Sequence, residues 1–163
     1  MKNKKIATYG LLIALAFIFS YVEALFPIPV PVPGIKVGLA NIVVIIALYT
    51  LGVKQALVLS VIRILLVGFT FGNLYSIIYS LAGAILSWVS MVSLKKAKSF
   101  SIVGVSILGG VMHNVGQIVV AGFMLETASL IHYLPVLAIS GIVAGILVGI
   151  LAANITIRLS KIM

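Results

Sequence analysis

The chain contains no cysteine and no aspartate, and its only acidic residues are Glu23 and Glu126. Without cysteine it cannot form disulfides, zinc–thiolate sites or iron–sulfur clusters. Hard cations such as Mg²⁺ bind clustered oxygen ligands, so two isolated glutamates do not support metal-assisted diphosphate chemistry. No nucleotide-binding fingerprint is visible either. These absences argue against a self-contained enzyme, predict no catalytic residue or metal ligand, and exclude an ATPase.

Charged residues are also scarce: they make up 8% of the chain, whereas hydrophobic residues make up 63%. A soluble domain is typically about half apolar and about a quarter charged. So few charges cannot cover a surface that faces water, so the lipid bilayer is the expected surrounding. The eleven Lys and Arg residues lie between apolar stretches and form no continuous basic face, which argues against nucleic acid as a partner.

The apolar runs predict an all-α integral membrane protein, in which residues 1–163 form a single transmembrane domain. This domain is a single bundle of about six helices, with predicted ranges of 6–26, 37–51, 55–70, 74–94, 101–125 and 133–159. The first run follows three lysines, as in a signal peptide, but it is long enough to span and is expected to be retained. Four alternating prolines follow it, at positions 27, 29, 31 and 33, and predict an extended connection.

The basic residues predict the orientation, because Lys and Arg accumulate in cytoplasmic loops. With both termini in the cytoplasm of a multi-pass protein of the cell (plasma) membrane, nine of the eleven fall on the inner side. Lys36 is then the one basic residue in an outer loop, and Arg63 lies within a span. The nine are Lys2, Lys4, Lys5, Lys54, Lys95, Lys96, Lys98, Arg158 and Lys161.

Polar side chains at membrane depth are costly and indicate functional sites. Arg63 lies about 10 Å from the outer end of its helix, where it would contact an entering anion or, alternatively, pair with Glu23. Lys36 and the neighbouring glycines open the second helix, and a helix N-terminus is a suitable anion site. Asn41 and Asn73 add amide groups at a similar depth.

A second polar group lies on the fifth helix, where His113 and Gln117 are four residues apart and share one face with Asn114 close by. These side chains would either form the wall of a pocket or hydrogen-bond to neighbouring helices. His113 can also exchange a proton near neutral pH. The predicted ligand-binding residues are therefore Glu23, Lys36, Asn41, Arg63, Asn73, His113, Asn114 and Gln117.

Small residues recur at four-residue spacing on two helices, a pattern typical of close helix packing in membranes. One set, Gly141, Gly145 and Gly149, lies on the last helix. The other, Ala7, Gly10 and Ala14, lies on the first helix, which would pack within the chain or contact a helix of another membrane subunit.

Several segments resemble one membrane family: the run PVPGIKVGLANI at 31–42, Arg63 with the glycines and Phe71 that follow it, GGVMHNVGQ at 109–117 and YLPV at 133–136. This family is called the Gx transporter family and also heptaprenyl diphosphate synthase component I. It is similar in size and helix count to the S components of energy-coupling factor transporters. The resemblance implies a six-helix protein that binds a solute from outside and meets a transmembrane coupling subunit through small residues of its first helix.

Three functions follow from the residues and the resemblance together. The first is a solute-binding transport subunit with a polar, cationic pocket that is open to the outside. The second is a membrane component of a quinone- or flavin-linked extracellular electron transfer system, with a redox partner; no cofactor is certain, and a bound quinone or flavin belongs to this alternative. The third is a non-catalytic membrane partner in prenyl diphosphate or quinone synthesis.

Overall fold

The computed structural model describes residues 2–25, 38–126 and 128–160, and nearly all of these residues are helical. No strand occurs within these ranges, and the predicted all-α class is confirmed. Lys36 and the proline segment lie outside the described residues. The α-helices are α1 (Lys2–Leu25), α2 (Leu39–Thr50), α3 (Val53–Phe71), α4 (Leu74–Ala97), α5 (Ile102–Met124) and α6 (Leu134–Ser160), with a 3₁₀ helix, Ala128–Tyr133, before α6.

Five of these helices, all except α2, are long and apolar enough to cross a bilayer. Their outward surfaces carry large exposed apolar side chains, such as Phe69 at 78% and Phe123 at 82% exposure. Such surfaces are stable against lipid rather than water. The chain is therefore a multi-pass membrane protein.

Helix α2 is the shortest of the six α-helices in the described residues. Its 12 residues extend about 18 Å, whereas the hydrocarbon core of a bilayer is about 30 Å thick. Eight of these residues are buried, because α1, α3 and α6 pack around the helix. A helix enclosed by protein does not need to match the lipid thickness, so α2 is the apolar centre of the bundle.

Contacts between helices define the two ends of the bundle. Glu23, near the end of α1, accepts a hydrogen bond from the backbone N–H of Leu39 at the start of α2, at 2.8 Å. Tyr9, near the start of α1, donates to the carbonyl of Gln55 near the start of α3, at 3.2 Å. We call the end where α1, α3 and α5 finish the distal end, and the opposite end the proximal end.

Local sequence signals determine where α4 and α5 begin. The Asn73 Oδ1 accepts the N–H of Ser76 at 2.8 Å, and the Asn73 N–H donates to the Ser76 hydroxyl at 3.0 Å, which together form a capping box. At α5, the Ser101 hydroxyl accepts the N–H of Gly104 at 3.2 Å. Each bond satisfies a backbone donor that the first helical turn leaves unpaired.

Helices α5 and α6 meet along a line that we call the glycine seam, formed by Gly110 on α5 and by Gly141, Gly145 and Gly149 on α6. A Cβ atom added to Gly110 would lie 2.6 Å from the carbonyl oxygen of Gly141. One added to Gly145 would lie 2.6 Å from the Cα of Ile107. Only glycine permits this backbone approach, so the small residues of α6 pack within the chain.

Candidate functional site

A cavity, which we call the inner cavity, extends through the interior of the bundle and is lined by residues from all six α-helices. Its empty space measures about 890 Å³ when the part open to solvent is included. Glu23 and Asn41 line it toward the distal end, and Trp88 and Met91 line it toward the proximal end. A polar entrance therefore leads to an aromatic and apolar interior.

A second cavity, the vestibule, lies at the distal end and includes Phe71, Asn73 and Ser76 around the α3–α4 turn. Its empty space measures about 1010 Å³ on the same basis. Four residues line both cavities: Glu23, Arg63, His113 and Gln117. We call this group the junction, because a solute that passed from the vestibule to the inner cavity would contact it.

Arg63 is the most polar member of the junction, and its hydrogen bonds are incomplete. Its Nη1 donates to the hydroxyl of Ser20 at 3.4 Å, which is a long contact, and its buried Nε has no hydrogen-bond partner. A guanidinium carries five N–H donors, and a buried charge is costly unless those donors are satisfied. Nε is therefore a donor that the described residues leave unused, on a group that can bind an anion through two parallel hydrogen bonds.

Glu23 contributes the negative charge nearest to this arginine, and the two side chains interact electrostatically. One of its carboxylate oxygens is already engaged by the backbone N–H of Leu39 in the first turn of α2. A carboxylate is favourable there because the N-terminus of a helix carries a partial positive charge. Glu23 thus joins α1 to α2 and partly balances Arg63.

The three polar residues predicted on α5 divide into two roles. The side-chain amide of Asn114 donates to the carbonyl of Leu137 on α6 at 2.7 Å. Of the two alternatives that the sequence offered for this residue, the structure shows the hydrogen bond to a neighbouring helix. His113 and Gln117 instead belong to the junction. On α4, Gly83 faces them: a Cβ added there would lie 2.6 Å from the His113 carbonyl, so glycine lets the two helices approach.

The other predicted site residues are distributed more widely. Asn41 lines the inner cavity, one turn into α2 from Gly38, whose φ of 77° is left-handed and suits glycine. Asn73 lines the vestibule, but its side chain is engaged in capping α4. Lys36 lies outside the described residues. The structure thus groups six of the eight predicted residues along the inner cavity: Glu23, Asn41, Arg63, His113, Asn114 and Gln117.

The sequence interpretation missed the deeper residues of the inner cavity, above all Trp88 and Ser106. Trp88 is the only tryptophan of the chain, and its indole N–H donates to the carbonyl of Val53 at 2.9 Å. Ser106 is 3% exposed, and its hydroxyl has no hydrogen-bond partner. A single serine or tryptophan in a spanning helix is unremarkable, so only the neighbouring helices reveal these two residues as lining.

The small residues predicted on α1 lie on the outside of the bundle. Ala7, Gly10 and Ala14 are all exposed, and a Cβ added to Gly10 would have no atom within 4 Å. This face differs from the glycine seam, where the corresponding space is filled by backbone. No packing within the described part of the chain accounts for small residues at Gly10.

The sequence of the chain matches a family model described as heptaprenyl diphosphate synthase component I, over residues 12–155. The chain belongs to this family. No curated protein and no solved structure matches it. The match extends from α1 to α6 and so includes both cavities, and it confirms the resemblance drawn from the sequence segments.

Membership in the heptaprenyl diphosphate synthase component I family also bears on catalysis. The description names one component of a synthase, which implies a further subunit and agrees with the expectation that this chain is not itself the enzyme. Across the described ranges, no group of three or more His, Asp or Glu residues could hold a metal ion. The cavities present a guanidinium, amides and hydroxyls around a partly apolar interior.

Proposed function

We propose that the chain is the solute-binding membrane subunit of a transport system, and that its solute carries an anionic group. The observation that carries the proposal is the junction, where an incompletely bonded arginine lies between a vestibule and a cavity lined by all six helices. An arginine that served only to hold helices together would be expected to have its donors satisfied by the protein. Here Nε has no partner in the described residues, and Arg63 lines both cavities.

The distal end is the side from which the solute enters, facing the outside of the plasma membrane. The support is the distribution of charge: Lys54, Lys95 and Arg158 all lie at the proximal end, which the positive-inside rule assigns to the cytoplasm. Lys95 donates to the carbonyl of Leu48 and lies 4.7 Å from the ring centre of Tyr49, so it also ties α4 to the proximal end of α2. Both termini are then cytoplasmic.

A partner must supply the energy for active transport. The exposed small residues Ala7, Gly10 and Ala14 offer a face where a helix of a transmembrane coupling subunit could approach closely. The family description, which names one component among others, agrees with such a partnership.

The first experiment is mass spectrometry of the protein purified in mild detergent. We expect a small molecule to co-purify with the wild type and to be lost from Arg63→Gln and from His113→Ala. Arg158→Gln is the matched control, because Arg158 is exposed near the end of α6 and should retain the molecule. Equal recovery from all four proteins would contradict the proposal. An absorbance spectrum of the same sample tests the alternative of a bound quinone or flavin.

The family description favours one further candidate function, a non-catalytic membrane partner of a prenyl diphosphate synthase. A pull-down of the tagged chain from its native membrane would recover the catalytic subunit in that case. Recovery of a transmembrane coupling subunit without a synthase would favour the transport function.

A further inference from the structure

Hydroxyl side chains in these helices differ in whether the protein itself accepts their hydrogen bond. Thr50, Ser90 and Ser93 each donate to the backbone carbonyl four residues earlier, at 2.7 to 2.9 Å. That bond lets a helix satisfy its own hydroxyl without a second partner. None of these three residues lines the inner cavity or the vestibule.

The serines of the inner cavity behave differently. Four serines line it, one from each of the helices α3 to α6: Ser60, Ser87, Ser106 and Ser140. Their hydroxyls neither donate to nor accept from any residue that the structure describes. Buried polar groups are normally bonded, so a set of unbonded hydroxyls around one cavity points to a binding role.

Three of these hydroxyls face the cavity, whereas that of Ser106 does not. The Ser106 oxygen is fully enclosed beside α6, where a Cβ added to Gly149 would lie 3.3 Å from it. The hydroxyls of Ser60, Ser87 and Ser140 are unbonded but are not among the enclosed atoms. Ser60 is nevertheless only 5% exposed and Ser87 only 8% exposed. Because the three residues line the inner cavity, that cavity is where their hydroxyls are accessible.

The α5 backbone places Ser87 and Ser140 at one level of the bundle. A Cβ added to Gly109 would lie 3.3 Å from the Ser87 hydroxyl. Gly141, which follows Ser140 on α6, meets the neighbouring Gly110. Ser87 on α4 and Ser140 on α6 therefore lie beside the same turn of α5.

Ser60 on α3 lies at this level too, because α3 and α5 both finish at the distal end. Ser60 precedes the junction residue Arg63 by three positions. The turn of α5 at Gly110 likewise precedes the junction residue His113 by three. Three positions correspond to about 5 Å along a helix, toward the proximal end. We call this group the serine level: Ser60, Ser87 and Ser140.

The serine level offers hydrogen bonds without charge. Each hydroxyl supplies one donor and two acceptor lone pairs. The ionisable residues that line the inner cavity are Glu23, Arg63 and His113, and all three belong to the junction. An apolar group at the serine level would leave the hydroxyls unbonded, which is costly, whereas groups that both donate and accept would satisfy them. Hydroxyl groups of a solute have that property.

We propose that the serine level is a subsite for the hydroxyl groups of a polyhydroxylated solute. The inference rests on the proposed function, which assigns an anionic group to the junction, and it adds the chemical class of the solute. Since the serine level and the junction are only about 5 Å apart, the class is that of compact polyhydroxylated carboxylates.

Trp88 makes the test direct, because it follows Ser87, lines the inner cavity and is the only tryptophan of the chain. The protein is held in amphipol, and Trp88 emission is titrated with three unbranched six-carbon probes. These are gluconate, which carries both kinds of group, hexanoate, which lacks the hydroxyls, and sorbitol, which lacks the carboxylate.

We expect the wild type to bind gluconate more tightly than hexanoate. Ser60→Ala and Ser87→Ala should each weaken gluconate and sorbitol about three- to tenfold, for loss of one neutral hydrogen bond, and leave hexanoate unchanged. Both variants should keep the denaturation midpoint of the wild type, because neither hydroxyl bonds to a described residue. Ser90→Ala is the matched control on α4: its hydroxyl is bonded to the Leu86 carbonyl outside the cavity, so probe affinities should not change.

The proposal is overturned if gluconate and hexanoate bind the wild type equally, if Ser87→Ala and Ser90→Ala bind gluconate alike, or if no probe changes Trp88 emission. A lower denaturation midpoint for both Ser60→Ala and Ser87→Ala would also overturn it, since the hydroxyls would then hold helices together. These results leave the proposed function intact when a small molecule still co-purifies with the wild type and is lost from Arg63→Gln.

A different result would separate the two proposals in the other direction. Equal binding of gluconate and sorbitol, with both weakened by Ser87→Ala, would support the serine level and contradict the anionic group in the proposed function.

Discussion

The glycine seam and the junction are two regions of one bundle that differ in how closely the helices pack and in whether polar side chains are hydrogen-bonded. At the seam, backbone fills the space between α5 and α6, and the nearby amide of Asn114 is bonded to Leu137. At the junction, space remains beside Arg63, whose Nε is buried without a partner. The bond of Asn114 shows that this fold can satisfy the hydrogen bonds of a polar side chain between closely packed helices. Arg63 thus differs from Asn114 in having a buried donor that no described residue accepts.

Adding one methyl group to the seam should have the largest effect. Gly145→Ala places a Cβ 2.6 Å from backbone of Ile107, which cannot move aside as a flexible side chain would. We expect a loss of about 1–3 kcal/mol of stability, which is the usual cost of overpacking. The measurement is the denaturation midpoint of the purified protein in detergent.

Gly10→Ala is the matched control for the seam, because it adds the same methyl on α1 with no atom within 4 Å. It should leave stability unchanged or raise it by up to about 1 kcal/mol through helix propensity. Similar midpoints for the two variants would mean that the seam is not closely packed.

The junction is tested by removing the charge that competes with a ligand for Arg63. Glu23→Gln keeps an oxygen that can accept the N–H of Leu39 but removes the carboxylate. We expect the affinity for the molecule that co-purifies with the wild type to increase by about tenfold, the effect of a nearby charge in a partly buried site. Glu126→Gln, the only other acidic residue, is the control and should change nothing. Weaker binding to Glu23→Gln would show that Glu23 assists the ligand instead of competing with it.

The smallest effect is expected at Asn114, which separates structural from binding roles on α5. Asn114→Ala removes the hydrogen bond to Leu137, and such bonds in membrane proteins contribute about 0.6 kcal/mol on average. We expect a slightly lower denaturation midpoint and unchanged recovery of the co-purified molecule. Loss of that molecule with unchanged stability would place Asn114 among the ligand contacts.

Much of the fold was predictable from the sequence, because spanning helices are long apolar runs with few local ambiguities. The range expected for the third helix, 55–70, differs from Val53–Phe71 by two residues at its start and one at its end. The apolar run of α2 gave no indication that protein would bury eight of its twelve residues. Apolar side chains are compatible with lipid and with protein, so composition cannot distinguish a helix that faces lipid from one that other helices bury.

The site was predictable only in part, and Asn114 and Ser106 show why. Both are polar residues on α5, and the sequence favoured Asn114 because its neighbours His113 and Gln117 are polar too. In the structure, Asn114 is bonded to α6, whereas Ser106 lines the inner cavity and its buried hydroxyl, beside Gly149, has no hydrogen-bond partner. Residue spacing determines which side chains share a helix face, but not what lies opposite that face.

The sequence by itself thus determined a multi-pass helical membrane protein without metal-binding carboxylate clusters, and it identified Arg63 as the costliest buried charge. Those properties follow from composition and from the free energy of placing charges in lipid, which depend little on neighbours. The tertiary structure decided that α2 is enclosed, that Gly145 meets Ile107, and that Ser106 and Trp88 line the same cavity as Arg63. These features depend on how helices distant in sequence pack together, because a cavity exists only between elements.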